Sequence, residues 1–383
     1  MSEFPTEPEG LSAAWLTKML HGANMLGVDR SVTGHSVTLI GEGVGLLGLV
    51  VRIGLTYDGS GGPGDGSGGP GDGAGGPESV IIKFAHPLAA NRAIANNARM
   101  YEREVTFFNT IADSVDVPKP ACYFAAVIAE TGQNIVVLED LRGYQPADQI
   151  SGVDVAQARL VIDAFVPLHA AFWNNTGQPM LDTAMRVDTN YVQAFMPSLL
   201  GTWERCLELF DYCIPADVLG EIPRYVASFR ELHRAMGEHT QTLVHGDVRL
   251  DNVMIGSGDQ HPVVLIDWQA VMVSNGLHDL AYLLSQSLTI ECRRAHETEL
   301  IEHYHARMVE HGVTDLTIEQ CWAGYDTGVL FLFSYPLVIA GAFDPANERG
   351  KRLAEEILRR SAQTVSDRGL MRLLPDPTSL SAG

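Results

Sequence analysis

The sequence predicts an α+β chain in two lobes, a small strand-rich one followed by a larger helical one. Three observations carry this. Up to about residue 140, short runs rich in β-branched residues alternate with turn residues, as in SVIIKFA (79–85) and QNIVVLEDL (133–141). Beyond about residue 150, apolar residues recur at helical spacing, as in VAQARLVIDAFVPLHAAFW (155–173) and IPRYVASFRELHRAM (222–236). Strands first and helices later is the order of segregated layers, not of an alternating parallel sheet. The boundary falls in EDLRG (139–143), which divides the chain into residues 1–140 and 141–383.

In the first part, HSVTLIGEGVGLLGLVVRIGLTY (35–57) reads as two strands around a Gly-rich turn, and SVIIKFA (79–85) as a third strand. Between them, DGSGGPGDGSGGPGDGAGGPE (58–78) repeats Gly, Pro, Asp and Ser with a period of seven. It can bury almost nothing and reads as a flexible insert within one sheet, where loop closure costs little more as length grows. Residues 91–112 carry apolar positions at helical spacing, VPKP (117–120) breaks that pattern, and CYFAAVIA (122–129) and QNIVVLEDL (133–141) are strands. The order β-β-β-α-β-β gives one small sheet with one helix. In the second part, two short strands, TLVHG (242–246) and PVVLIDW (262–268), interrupt the helices. The most apolar stretch, Gly328 to Phe343, holds Ser334 and Pro336 and reads as a buried core helix, being short for a membrane span.

Composition excludes several classes. The chain has 383 residues, 46% of them hydrophobic, enough to build sizeable cores. A net charge of −21 without a Lys/Arg-rich run argues against a nucleic-acid partner and chiefly serves solubility. Cys122, Cys206, Cys213, Cys292 and Cys321 are odd in number and form no C-x-x-C pair, which argues against structural zinc and a disulfide framework. The N-terminal MSEFPTEPEG has no apolar core behind it, so the expectation is a cytoplasmic protein with no membrane partner.

Chemistry concentrates in LVHGDVRLDNVMI (243–255) and VVLIDWQ (263–269). Phosphoryl transfer from ATP needs a carboxylate to orient the attacking hydroxyl and take its proton, and hard oxygen ligands to hold Mg²⁺ on the phosphates. Asp247 can supply the first; Asn252 and Asp267 can supply the second. The spacing fits a hairpin, with Asp247 leaving one strand, Asn252 entering the next and Asp267 on a neighbouring strand. Arg249, inside the loop, can stabilise charge on the transferred group or form a surface salt bridge. The bland alternative makes these turn residues.

H-G-D-x-x-x-x-N followed by I-D-W resembles the aminoglycoside phosphotransferase and choline-kinase-like superfamily. D-W-Q with GLHDLAYLL (276–284) looks most like its ecdysteroid-kinase-like branch, and the resemblance runs over roughly residues 35–290. It implies a bilobal protein-kinase-like fold. It also implies that His245 supports the loop, that Asp279 braces it, and that Lys83 contacts the phosphates with Glu104 holding the lysine. Glu102 is the rival partner, but two residues along a helix is another face. A lysine snorkelling at a strand edge is the bland reading of Lys83. In the same resemblance the backbone from Glu139 to Leu141 meets the adenine edge.

The Gly-rich turn contains Gly43 and Gly45 in a literal G-x-G-x-x-G. A strand follows it where a dinucleotide fold needs a helix, so a phosphate-covering hairpin fits better than a dehydrogenase. Eleven residues separate Asp267 from Asp279, and no A-P-E motif follows, which leaves little room for a peptide substrate. The resemblance implies that the long helical region before the catalytic loop builds the acceptor pocket, for a small hydroxyl-bearing acceptor that is antibiotic-, sterol- or choline-like. Trp173, Trp203 and Trp322 are expected to pack in the core. The alternative function is a nucleotide-binding pseudokinase with a regulatory role.

Overall fold

The computed structural model describes residues 4–40, 48–58, 75–182, 184–256, 261–343 and 346–375. The Gly43 and Gly45 turn and most of the Gly-rich insert lie outside them. The fold is α+β, and the chain divides into two compact units. One comprises Met1–Ser114 with Lys119–Arg142; the other comprises Val115–Pro118 with Gly143–Gly383.

The first unit is built on an antiparallel sheet of β1 (Val32–Ile40), β2 (Gly48–Tyr57), β3 (Ser79–Ala85), β4 (Cys122–Ile128) and β5 (Gln133–Glu139), in the order β1-β2-β3-β5-β4. Strand alternation sends Val51 and Ile53, Val80, Ile82 and Phe84, and Ile135 and Val137 into one core. A helix at Ala13–Gly22, absent from the expected order, joins that core through Leu16, Met19 and Leu20. Its start is capped by Ser12, which accepts from the Trp15 N–H at 3.2 Å. Lys83 alternates away from these residues.

The helix expected over 91–112 is broken. It runs Ala89–Asn97, reverses at Arg99 (φ 51°), resumes at Met100–Thr106 and widens into a π turn over Phe107–Ile111. Asn96 and Asn97 are poor helix formers, and the left-handed Arg99 ends the first segment. The restart gives Glu104 its own short helix.

Among the described residues, the second unit carries ten α-helices around two small sheets. β6 (Tyr144–Pro146), β9 (Val253–Gly256) and β10 (Val263–Leu265) form one, in the order β10-β9-β6. The other is β7 (Met185–Arg186), β11 (Met272–Asn275) and β8 (Gln241–Val244), in the order β7-β11-β8. This corrects the expected hairpin, because β8 pairs with β11 and β9 with β10 and β6. The chain between them turns at Gly246 (φ 81°) and through a 3-10 turn at Leu250–Asn252, so the two strands enter different sheets.

Helix Val155–Phe172 begins in a capping box of Asp154 and Gln157. The helix expected over 222–236 is two, Ile222–Ala227 and Phe229–Glu238, parted at the buried Ser228. The apolar stretch from Gly328 is likewise two helices, Ile318–Leu332 and Ser334–Ala342, meeting at Phe333. By length and hydropathy, Val155–Phe172 and Ile318–Ala342 could each cross a membrane; half of the first and two-thirds of the second are buried inside the protein. Trp173, Trp203 and Trp322 are half-buried, so the core reading overstates them; the fully buried tryptophan is Trp268.

Candidate active site

The loop after β8 is shaped by its glycine. Gly246 is left-handed, and a Cβ there would lie 2.4 Å from the Ala270 carbonyl oxygen. Only glycine permits that approach, which lays the HGD segment against the turn Trp268–Ala270 that follows Asp267. His245 ties the same two segments. Its Nδ1 accepts from the Asp247 N–H at 3.3 Å, so its Nε2 carries the proton and donates to the Ile266 carbonyl at 3.0 Å. Both ring nitrogens are thereby engaged with backbone, and the ring lies 4.6 Å from that of Trp268.

Asp279 holds the loop from behind. Fully buried, it accepts from the His245 N–H (2.8 Å), the Gly246 N–H (2.9 Å) and His169 Nε2 (3.0 Å). Burial alone would raise its carboxyl. The bond from His169 and the nearby His278 and His245 outweigh that and hold it down at about 2. A buried carboxylate with three donors fixes the two backbone N–H groups that precede Asp247.

Asp247 itself is a quarter exposed. Asn252 Nδ2 donates to its carbonyl at 2.9 Å and to its Oδ2 at 3.0 Å, so the remaining polar atom of the Asn252 carboxamide is an acceptor. The Ile266 N–H donates to the Asn252 carbonyl at 3.0 Å, so Asp267 follows directly after a residue bonded to Asn252. Asp267 is left-handed (φ 65°, ψ 69°), a conformation an aspartate tolerates at some cost, and its Oδ2 accepts from Gln269 at 3.1 Å. Arg249 Nε lies 3.6 Å from Asp247 Oδ2. Burial would lower its guanidinium, but Asp247, Tyr282, Asp267 and Asp251 together raise it. Asp247, Arg249, Asn252 and Asp267 thus form one cluster.

In the first unit, Lys83 Nζ sits 2.6 Å from Glu104 Oε1, with side chains 14% and 2% exposed. A pair this secluded leaves neither charge uncompensated. Glu102 instead pairs with Arg99 at 2.6 Å, on the exposed face. Glu139 accepts from the Ala121 N–H at 3.1 Å through its side chain, and its own N–H donates to the Ala121 carbonyl at 2.9 Å. Between Glu139 and Leu141, the buried Asp140 receives Arg52 at 2.8 and 3.0 Å and the Ser79 hydroxyl at 2.5 Å.

Three residues that sequence reasoning passed over belong to this machinery. His169, in LHAAFW, reaches Asp279. Buried Gln149 accepts from the Leu250 N–H at 2.6 Å and donates to the Gln286 carbonyl at 2.8 Å, pinning the loop between Gly246 and Asn252. Tyr282 is buried, and burial together with the Asp247 carboxylate pushes its phenol well above the usual range. For His169 and Tyr282 the one sequence signal is a polar group inside an otherwise apolar helix, whereas Gln149, in YQPADQISG, carries none.

A family model described as ecdysteroid kinase-like matches residues 47–316. The chain belongs to the ecdysteroid kinase-like family. It is 24% identical over 296 residues to an uncharacterized kinase-like protein of Caenorhabditis elegans, covering 69% of this chain and 75% of that one. A microcompartment-associated aminopropanol kinase superposes with a TM-score of 0.53 at 14% identity, over 94% of this chain and all of that chain. The GDP complex of aminoglycoside 2'-phosphotransferase-IIIa gives 0.51 at 15%, over 92% and 99%. A Plasmodium vivax ethanolamine kinase gives 0.50 at 13%, over 89% and 83%. These likenesses give the family the fold of protein-kinase-like phosphotransferases.

Proposed function

We propose that this family member is a kinase that transfers the γ-phosphoryl group of Mg·ATP to a hydroxyl of a small molecule in the cytoplasm. The observation that carries the reading is the Asp247–Asn252–Asp267 cluster with Arg249, held rigid by Asp279.

The donor set fits magnesium. Asn252 and Asp267 offer one carboxamide and one carboxylate oxygen, which suits an ion that keeps waters and phosphate oxygens as its other ligands. When bound, the ion would neutralise charge on the phosphates. The remaining roles fall to the chain. Asp247, oriented by Asn252, accepts the hydroxyl proton as the acceptor oxygen forms its bond to phosphorus and the bond to the ADP oxygen breaks. Arg249 offsets charge on the moving group. Lys83, held by Glu104, contacts the phosphates, and backbone from Glu139 to Leu141 meets the base.

A pseudokinase would be expected to lack one of these groups, and all are present. The structural neighbours support a small acceptor: aminopropanol, ethanolamine and aminoglycosides are named for them. GDP in one neighbour makes GTP a cofactor to test beside ATP. The test is ADP or GDP release across a panel of hydroxyl acceptors, wild type beside Asp247→Ala. Acceptor-dependent release lost in the variant supports the reading; equal release in both refutes the role of Asp247.

A further inference from the structure

The second unit holds a buried cation for which the phosphotransfer reading has no use. Arg360, on the helix Glu348–Asp367, is 4% exposed. The carboxylate of Glu356 lies 3.7 Å from it, beyond hydrogen-bond reach. Backbone carbonyls meet the guanidinium instead. Its Nη1 donates to Gln149 at 2.8 Å and to Gln286 at 3.3 Å, and its Nη2 donates to Ile150 at 2.6 Å. A buried charge is costly unless it is hydrogen-bonded, and here three carbonyls satisfy it.

Two of those carbonyls belong to residues tied to the site. Gln149 extends its side chain to the catalytic loop, where its Oε1 accepts from the Leu250 N–H at 2.6 Å. Leu250 opens the 3-10 turn that ends at Asn252. The same Oε1 accepts from the Ser287 hydroxyl at 3.2 Å, and Nε2 donates to the Gln286 carbonyl at 2.8 Å. Gln286 and Ser287 lie in the π turn after the helix that bears Asp279, where the helix end leaves carbonyls to outside donors. Gly152, left-handed at φ 76°, lets the chain come so close that a Cβ would lie 2.8 Å from the Ser287 carbonyl oxygen. About three turns earlier on the face of the helix that carries Arg360, Arg349 lies 3.1 Å from Asp148 and 3.7 Å from Asp251. One helix thus meets both the segment around Gln149 and the loop itself.

We propose that Arg360 is a positioning residue, which acts through Gln149 on Leu250 and so fixes the loop that carries Asp247 and Asn252. Its effect on turnover rests on the phosphotransfer reading; its effect on the loop does not.

Two measurements on the full chain test it. The first is amide exchange at Leu250 without nucleotide, read by NMR of protein labelled with 15N-leucine. Leu265 is the reference, because its N–H donates to the Pro118 carbonyl at 2.9 Å. Arg360→Met, which keeps the apolar stem, should speed exchange at Leu250 relative to Leu265 by about tenfold or more, the worth of a hydrogen bond to a charged group. Arg224→Met is the control, since Arg224 also donates to backbone carbonyls, those of Leu374 and Pro375. It should leave the ratio within about twofold, as a distant site does. The second is steady-state turnover with the best acceptor of the panel. Arg360→Met and Gln149→Met should each lower kcat by about tenfold or more, with the KM for ATP within about twofold, because a misplaced loop weakens the chemical step. The double variant should lose no more than the worse single one, as expected of residues that act through one contact. Should Arg360→Met not fold, Arg360→Lys, which keeps the charge but lacks the fork that spans three carbonyls, takes the same readings. An unchanged exchange ratio in the Arg360 variant would overturn the brace, and losses in kcat that multiply in the double variant would overturn the route through Gln149. Faster exchange in the Arg360 variant, with no turnover by wild type from any acceptor, would keep the brace and remove the phosphotransfer reading; turnover by wild type with unchanged exchange would do the reverse.

Discussion

Replacing Asp279 with asparagine is the sharpest perturbation of the catalytic loop that adds no bulk. The carboxylate accepts three hydrogen bonds, at 2.8, 2.9 and 3.0 Å, with no exposure to solvent. An amide has one accepting oxygen, so its NH₂ would face at least one N–H donor. Breaking a buried charge-paired set this way costs about 3–5 kcal/mol. At roughly 2–4 °C per kcal/mol for a unit of this size, Tm should fall by about 6–20 °C. The His245 and Gly246 N–H groups would lose their anchor, and a displacement of Asp247 on the scale of 1 Å should lower kcat about 100-fold. Asp163→Asn is the control, because Asp163 pairs with His303 and Arg307 at 2.9 Å but is a third exposed. It should cost less than about 1 kcal/mol. Thermal melts and ADP release on the two variants decide the matter. An Asp279→Asn melt no lower than that of Asp163→Asn would refute the reasoning that a charged, buried brace holds the loop.

Other outcomes follow from the same geometry. Lys83→Met leaves Glu104 buried without its partner, so Tm should fall by several degrees and the KM for ATP should rise at least about tenfold, as steady-state kinetics would read. Glu104→Gln should raise that KM with a smaller loss of stability, whereas Glu102→Gln, at an exposed pair, should leave both unchanged. Asp267→Asn should move the magnesium concentration for half-maximal activity upward by about tenfold, in a magnesium titration at fixed ATP. His278 carries a stability signature in pH. Its folded value lies at about 4, below the ordinary 6.5, so the unfolded chain takes up a proton that the folded chain refuses between those values. Stability should therefore fall as pH drops from about 6.5 toward 4, by up to about 3 kcal/mol from this group. His278→Gln should flatten that slope; an unchanged slope would remove His278 as its source.

The strands and the site motifs were legible because each carries a local signal. SVIIKFA fills β3 residue for residue, since alternation and β-branching act within the strand itself. H-G-D, Asn252 and Asp267 stood out because the metal and phosphate chemistry proposed for them restricts residue type. What failed depended on distant partners. The sequence between Val244 and Val253 looks like a hairpin, yet β8 finds its partner in β11. Pairing is decided by packing that the local pattern does not encode. The break at Arg99 was hidden because Asn96 and Asn97 weaken a helix only slightly and the left-handed backbone that ends it leaves no mark in the sequence. His169 and Tyr282 sit in apolar runs where most side chains only pack, and Gln149 sits in a polar turn, so their places emerge only when Asp279, Asp247 and Leu250 come against them.

The central claim is that the Asp247 cluster moves a phosphoryl group onto a small-molecule hydroxyl. Phosphorus NMR of a reaction with Mg·ATP and the acceptor panel tests it most directly, because it observes the bond that forms. The account predicts a new phosphomonoester resonance growing as the γ-phosphate signal of ATP declines, with no growth in Asp247→Ala although that variant still binds Mg·ATP. A γ-phosphate signal that declines only into inorganic phosphate, or a phosphomonoester formed equally well by Asp247→Ala, would contradict it.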